Sequence, residues 1–309
     1  MRHIPCNICG SEKNTTIFLL RDLYTNINDL TEFRLARCNF CGFSYLDPQP
    51  DYEELSPFYQ CGYFVEQENY IEKGGFYSFL RKIRRKVLPK FSPRFYGWDI
   101  GDRAISANFL DVGCATGAKD RRFINDFPHW NFFGVEPDVQ AAEKAASVRG
   151  FTVSRGFLKD ARFPDNFFDT VLFHHVLEHT LDPSADIKES YRILKTNGRL
   201  IITVPNYGSF AAKFFGKYWR HLDIPRHLFH FRDGDLKKML NNAGFDIKKI
   251  QTETIQGSVF SSFLFSIGIH KNFENALPIV LLRFAFIPIN KIAELFGQGS
   301  ALYVLAVKK

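Results

Sequence analysis

Residues 110–117 read LDVGCATG, and the reading of this stretch decides the fold. Apolar residues lead into Asp111, and Asp111 leads into the small residues Gly113, Ala115 and Gly117. The pattern has the look of a phosphate loop. A dinucleotide fingerprint, however, would read G-x-G-x-x-G after the strand. Here the order is D-x-G-x-A-x-G, with an acid at the strand's end. A carboxylate in that place would repel a pyrophosphate. It suits a cationic ligand, such as an amino group or a sulfonium. The glycines let a ligand approach the backbone closely, and the helix that follows offers N–H groups.

Outward from this loop the chain alternates. NFLDVG, NFFGVEP, FTVSRG, FDTVLFHH and RLIITVPN read as strands. Between them GAKDRRFINDF, DVQAAEKAASVRG and SADIKESYRILKTNG read as helices, the last ended by Asn197-Gly198. Such alternation predicts a parallel sheet with helices on both faces. DGDLKKMLNNAGF then reads as a helix, DIKKIQTET as a strand, and SALYVLAVKK as a terminal strand that closes the sheet antiparallel. The expected fold is α/β, a Rossmann-like doubly wound seven-stranded sheet with an antiparallel last strand. Ligands of such sheets sit at the carboxyl ends of the strands, near the switch point. A second acid, Glu136, ends the second strand, 19 residues after Gly117. Acids in that place accept hydrogen bonds from ribose hydroxyls. One acid for a cation and one for a ribose describe S-adenosylmethionine.

LDVGCATG, GVEPD, FPDNFFDTVLFHHVLEH and RILKTNGRLIITVPN, in this order over about residues 106–255, resemble the successive motifs of class I S-adenosylmethionine-dependent methyltransferases. With the cysteine pairs at the front and GKYWRHLDIPRHLFHF after the fifth strand, the chain is similar to bacterial methyltransferases of sugar and surface-polysaccharide pathways, deoxysugar C-methyltransferases among them. The resemblance implies that Asp111, Gly113 and Gly117 line the methionine end and that Glu136 holds the ribose. Ala115 stands where many members have Gly, and its small methyl should be tolerated. His174 is grouped with these cofactor residues. Many members carry an Asp for the adenine amino group directly after the third strand's Gly. Phe157 stands there instead, leaving Asp160 or backbone and apolar contacts for the adenine.

Four of the six cysteines form CNICG and CNFCG, two C-x-x-C-G turns separated by 28 residues. Cys6, Cys9, Cys38 and Cys41 thus supply the four thiolates of a tetrahedral structural zinc site. Residues 1–46 are expected to be a small zinc ribbon, too short to bury much core without metal. Cys61 and Cys114 read as ordinary reduced thiols. Residues 47–105 are expected to be a linker and a basic helical segment, with Arg81, Lys82, Arg84, Arg85 and Lys86 on one face of a helix near 76–87. The methyltransferase domain is expected over 106–309, with lid insertions at about 206–232 and 256–298.

Methyl transfer to oxygen or carbon calls for a base. HHVLEH puts His174, His175, Glu178 and His179 at the end of the fourth strand. His179 beside Glu178 is the expected base, and His227 or His221 from the lid is its rival. The opposing view is that the Glu-His pair only holds the loop. Ubiquinone-pathway O-methyltransferases resemble this stretch but show Glu-x-x-Glu-His. Here His175 replaces the first acid, and magnesium prefers oxygen ligands. In the lid, Trp219, Arg220, His221, Asp223, Arg226 and His227 are candidates for sugar hydroxyls or a nucleotide diphosphate.

Bulk properties frame the partner. The net charge is +7, and 34 Phe lift the aromatic share to 16%. Aromatic-rich packing, an apolar channel and a membrane-facing surface all fit that excess. The opening residues lack the apolar core of a secretory signal. The longest apolar run, ALPIVLLRFAFIPI, has about 14 residues where a bilayer span needs about 20. A cytoplasmic enzyme is expected, acting on a small, sugar-linked acceptor. Two alternatives stand beside it. One is an RNA methyltransferase or binding protein, disfavoured because the basic residues form no RNA-binding motif. The other is a methyltransferase of a lipid or quinone-type acceptor, in weak contact with a membrane surface.

Overall fold

The computed structural model describes residues 1–23, 31–59, 105–253, 255, 257–269 and 285–309. Cys61, the basic helix expected near 76–87 and residues 270–284 of the second insertion lie outside the described residues.

The chain starts with an antiparallel set, β1 (Asn14–Leu20), β2 (Phe33–Cys38) and β3 (Ser44–Leu46), followed by the single-turn helix α1 (Tyr52–Leu55). The second part is the expected seven-stranded sheet. Its strands are β4 (Asn108–Val112), β5 (Asn131–Glu136), β6 (Phe151–Arg155), β7 (Phe168–His174), β8 (Leu194–Pro205), β10 (Phe245–Glu253) and β11 (Ala301–Lys308), in the order β10-β11-β8-β7-β4-β5-β6. The five strands from β8 to β6 are parallel, and β11 runs antiparallel between β8 and β10. The chain leaves β4 for β5 and β6 on one side and returns to β7 and β8 on the other. The switch point therefore falls at the ends of β4 and β7.

Strand chemistry explains the sheet. The centre of β7, Val171, Leu172 and Phe173, is wholly buried because helices cover both faces. On one face α2 (Asp120–Asp126) packs Phe123 against Phe109, which in turn meets Trp130 and Phe132. Helix α3 (Val139–Ala146) is capped by Asp138, whose carboxylate accepts the Ala141 N–H, and buries only alanines, so it lies close to the sheet. Helix α4 (Pro183–Ile193) starts at the Asp182 cap with Pro183 in its first turn. It ends four residues before the expected Asn-Gly stop. Leu194 already pairs with Phe168 and is buried, which draws the chain into β8 at once. Asn197, at φ 64°, makes a bend inside the strand instead.

The segment 206–232, expected as the first lid, contains α5 (Phe210–Phe215) and β9 (Phe229–His230), and α6 (Asp233–Asn242) follows it. The second insertion contributes α7 (Ser258–Ser266) and α8 (Ile287–Leu295). Strand β9 pairs with β3, Ser44 opposite His230 and Tyr45 opposite Phe229, so the lid supplies the fourth strand of the N-terminal sheet. Phe43 stacks on Phe229 at 5.8 Å between centroids. Leu35, Tyr45 and Leu46 share one buried cluster with Trp219, Phe231 and the sheet's Leu110 and Phe173. Residues of the first 46 bury their apolar side chains together with residues 219–231. Much of the aromatic excess is thus packing. Among the described residues no helix is long and apolar enough to cross a membrane.

Candidate functional site

Three groups of polar side chains gather on the carboxyl side of the sheet and at the N-terminal turns.

The first group lies at the ends of β4 and β5. Asp111 is fully buried, and the Lys119 ammonium stands 3.1 Å from its Oδ2. Gly113, at φ 69°, donates its N–H to the Val135 carbonyl at 2.8 Å. A Cβ there would come within 2.5 Å of Val176 Cγ2. Gly117, at φ 70°, is pressed against the Ala145 backbone, 3.2 Å from where its Cβ would be. Ala115 adopts φ 48°, so the expected tolerance of its methyl comes with left-handed backbone strain. Its N–H donates to Glu136 Oε2 at 2.9 Å, and the Asp138 N–H donates to Oε1 at 2.9 Å. Glu136 is buried, and burial outweighs these two hydrogen bonds, raising the carboxyl to about 7. His174, the last residue of β7, is held well below the usual imidazole range by burial, then by the Lys119 and His175 charges.

Asp111, Gly113, Ala115, Gly117, Glu136 and His174 therefore share the strand ends, as the sequence places them. Lys119 and the buried Asp120 were not singled out, although both stand within three residues of Gly117. Burial first, then the Asp111 charge, raises the Asp120 carboxyl well above the ordinary range. Tyr52 and Phe157 were also missed as a pair. They meet edge to face at 5.3 Å, and the Tyr52 hydroxyl feels the charges of Glu136 and Asp138. Nothing local links residue 52 to residue 157. Asp160, the candidate for an adenine, accepts the Phe157 N–H at 3.2 Å and caps its own turn. This edge meets the demands of S-adenosylmethionine: two buried acids, a backbone that a Cβ would obstruct, and an adjacent aromatic pair.

The second group lies where β7 meets the lid. His175 sits at φ 56°, and its Nδ1 is 3.3 Å from Glu178 Oε1. Glu178 is 1% exposed, and its Oε2 has no hydrogen-bond partner among the described residues. Burial works against its charge, yet the His175 hydrogen bond and the imidazoles of His179, His175 and His227 prevail and lower its pKa. The donor atoms of Glu178, His179 and His227 lie within 4.8 Å of one another. His179 Nδ1 is 3.0 Å from the Arg226 carbonyl and 2.9 Å from the Tyr59 hydroxyl. His227 Nδ1 is 2.9 Å from the His221 carbonyl. A carbonyl can only accept, so both Nδ1 atoms carry hydrogen, and the His227 Nε2 stands 3.7 Å from Asp223 Oδ2. Burial, then His227, lowers His179 to about 4. Two imidazoles and one carboxylate are not the all-oxygen set that magnesium takes.

The lid charges behave otherwise than the sequence suggests. Arg226 is wholly buried and closes on protein groups: Asp223 Oδ1 at 2.7 Å, Asp22 Oδ1 at 3.0 Å and the Phe58 carbonyl at 3.2 Å. Asp223 is buried too, yet the Arg226, His227 and Arg220 charges outweigh that burial and lower its carboxyl below the ordinary range. These two residues tie the 206–232 segment to Asp22 and Phe58, and their charges are spent on each other and on those groups.

The third group is Cys6, Cys9, Cys38 and Cys41, whose sulfurs lie within 4.8 Å of one another. Cys6 to Cys41 is 3.4 Å, and Cys9 to Cys38 is 3.5 Å. Zn–S bonds of about 2.3 Å in a tetrahedron put sulfurs about 3.8 Å apart, so the cluster suits one such ion. Each turn closes alike, Gly10 N–H on the Cys6 carbonyl and Gly42 N–H on that of Cys38, at 2.8 and 3.0 Å. Burial opposes ionisation of Cys38, but the Cys41 and Phe40 N–H groups and Cys9 bring it down to about 7. Between the first two cysteines, Asn7 accepts the Ser184 N–H and donates to Asp182, both at 2.9 Å, and so clamps the start of α4.

Comparison with known proteins gives this geometry its family. The model of a family described as a methyltransferase domain matches residues 77–250. A chloroplastic 2-methyl-6-phytyl-1,4-hydroquinone methyltransferase of Oryza sativa is 26% identical over 156 residues, 47% of this chain and 44% of its own. A probable S-adenosylmethionine-dependent methyltransferase of Mycolicibacterium smegmatis is 26% identical over 153 residues, 48% of this chain and 56% of its own. The chain spans about half the length of these curated relatives. A solved S-adenosylmethionine-dependent methyltransferase of Thermotoga maritima, described as a possible histamine N-methyltransferase, superimposes with a TM-score of 0.46 at 25% identity, over 66% of this chain and 83% of its own. With more than half of its length in the family's match and the sheet in the family's order, the chain belongs to the class I S-adenosylmethionine-dependent methyltransferases.

Proposed function

We propose that the enzyme methylates a weakly acidic oxygen or carbon of a small acceptor bound between the strand ends and the lid, with His179 as the proton acceptor. The observation that carries this reading is His179, its Nδ1 on the Arg226 carbonyl, set beside the buried Glu178 and the His227 ring. When bound, S-adenosylmethionine supplies an electrophilic methyl on a sulfonium. Asp111 takes the ammonium, Glu136 takes the ribose hydroxyls, and Gly113, Ala115 and Gly117 keep the backbone open to the ligand. His174 borders the same end, and Tyr52 with Phe157 flanks the adenine. Positioning supplies much of the rate. His179 accepts the acceptor's proton at Nε2, while Nδ1–H stays on the Arg226 carbonyl. Glu178 steadies the imidazolium, and His227 is the alternative acceptor.

Two acceptor chemistries divide the reading. The expected sugar-linked acceptor loses Arg226 and Asp223 as ligands, because both are spent inside the lid. A quinol-type acceptor gains support from the phytyl-hydroquinone relatives and from a site lined by rings, Tyr59, His179 and His227. Its phenolic hydrogen suits a neutral imidazole. Labelled cofactor offered with a panel of nucleotide sugars and a panel of short-chain hydroquinones separates the two. In the same assay His179→Ala should lower turnover about 10²–10⁴-fold with cofactor affinity intact. Normal turnover in both His179→Ala and His227→Ala would leave the cluster a structural one.

We also propose that residues 1–46 form a unit holding one zinc through Cys6, Cys9, Cys38 and Cys41, ahead of a linker to about residue 105 and a transferase domain over 106–309. The ion would be structural, since four thiolates leave no open position. Metal analysis should find about one zinc per chain, the content of a single four-thiolate site.

A further inference from the structure

Helix α8 turns apolar side chains outward. Ala293 is buried, while Ile292, Leu295 and the following Phe296 are 55%, 84% and 75% exposed. Ile289, Ile292 and Phe296 are spaced three and four apart, so they share one face of the helix. Helix α5 does the same with Phe214, 70% exposed and stacked on Phe210 at 5.6 Å. The two helices adjoin. The Phe210 N–H donates to the Gln298 carbonyl at 3.1 Å, and the Gln298 N–H donates to the Ala293 carbonyl at 2.7 Å. Helix α7 joins them from behind: Ser262 Oγ accepts the Arg220 N–H at 3.0 Å, and Phe260 and Phe263 meet Phe286, at the start of α8, at 5.4 and 5.5 Å. Single exposed apolar residues are ordinary, but large ones gathered on adjoining helices mark an interaction surface.

The charges beside these side chains favour one kind of occupant. Lys213 and Lys217 are exposed on α5 and just after it, and the Lys217 ammonium stands 5.1 Å from the centre of the Tyr218 ring. Lys291 is exposed on α8 and pairs with Glu294 at 2.7 Å. Among the described residues of 206–232 and 257–298, the only other carboxylate is that of Asp223, which is buried. A second copy of the chain, itself at +7, would bring lysines to lysines across a two-fold axis. Anionic lipid headgroups answer the lysines, and the boundary of the acyl chains takes the phenyl and aliphatic groups. We propose that α5 and α8 form a docking surface for an anionic lipid membrane. Phe214, Ile292, Leu295 and Phe296 enter the headgroup layer, and Lys213 and Lys217 meet the headgroup phosphates. The contact lies in the plane of the surface, since α8 has 9 residues and no described helix is long and apolar enough to cross. None of these side chains belongs to the cofactor or base groups above, so docking stands or falls apart from them.

Flotation of the full chain with lipid vesicles is the test. Vesicles of phosphatidylcholine and phosphatidylglycerol in equal parts should bind the wild type about tenfold or more tightly than phosphatidylcholine alone, with the preference shrinking as salt rises. Replacing Lys213 and Lys217 together by Gln should weaken binding to the anionic vesicles about 25-fold, roughly fivefold for each lysine. Leu295→Ser with Phe296→Ser should weaken it about tenfold or more, from the loss of the apolar area that enters the membrane. Phe214→Ser repeats that test from a separate helix, which covers a poorly folding Leu295 and Phe296 variant. The Ser variants should keep the wild-type urea midpoint and the wild-type mass in light scattering. A wild type that does not float with anionic vesicles overturns the proposal, as does binding that both sets of Ser variants leave unchanged. An oligomer that the Ser variants dissolve would seat a second copy on this face instead, and a lowered urea midpoint would mean that the chain covers the face itself; either result also overturns it.

Discussion

Gly113→Ala probes the junction between the cofactor loop and the base. The added Cβ would lie 2.5 Å from Val176 Cγ2 and 2.9 Å from Cγ1, where carbons rest at about 3.5–4.0 Å. Val176 cannot simply retreat. It lies between His175, whose N–H is fixed on the Thr203 carbonyl at 2.8 Å, and the fully buried Leu177. Its own carbonyl accepts the His179 N–H at 2.9 Å, so a shift of Val176 moves the expected base. Left-handed backbone costs a Cβ-bearing residue about 1–2 kcal/mol and overpacking about 1–3, together roughly 2–5 kcal/mol. Urea unfolding of four proteins, wild type, Gly113→Ala, Val176→Ala and the double variant, separates the two parts. In the Val176→Ala background the steric part should vanish, leaving about 1–2 kcal/mol for the backbone. If Gly113→Ala costs the same in both backgrounds, Val176 is not the obstacle and the coupling of loop to base is wrong.

Cys9→Ser should release the zinc and, because β9 of the lid pairs with β3, raise the acceptor KM more than the cofactor Kd; equal effects on both would contradict the shared sheet. Burial holds the Glu136 carboxyl up to about 7, so cofactor affinity should fall as pH drops below 7, by at most about tenfold per unit, as protonation removes the ribose acceptor. Calorimetry on Glu136→Gln should show a weak, flat profile. His179 titrates near 4 when folded against 6.5 ordinarily. The unfolded chain therefore takes up the proton first, and stability should decline as pH falls from about 6.5 to 4, by at most about 3 kcal/mol, with His179→Asn flattening that limb in urea titrations. Arg226→Met strands Asp223 and Asp22 and should cost about 3–5 kcal/mol by thermal or urea unfolding. Adding Asp223→Asn should recover part of that loss.

Periodicity and spacing carried the fold. Alternating strands and helices, the acids ending β4 and β5, and two matching C-x-x-C-G turns are local patterns, because each strand's burial and each turn's φ are set by a few neighbouring residues. Even there the end of α4 was misread. Asn197-Gly198 is a sound stop signal, but Leu194 is claimed earlier by Phe168 across the sheet. The tight N-terminal turns, the glycine loop after β4 and the neighbouring Glu178 and His179 are local features of the same kind. Tertiary structure decided which distant groups meet. It brought His227 to His179 across 48 residues, Tyr52 to Phe157, and Arg226 to Asp22 and Asp223, turning a presumed ligand-binding arginine into a buried brace. It gave the N-terminal sheet its fourth strand from the lid. It also set Lys119 on Asp111, although the two are only eight residues apart. That pairing depends on the loop doubling back through two left-handed glycines, a path that residue identities permit but burial of the carboxylate selects.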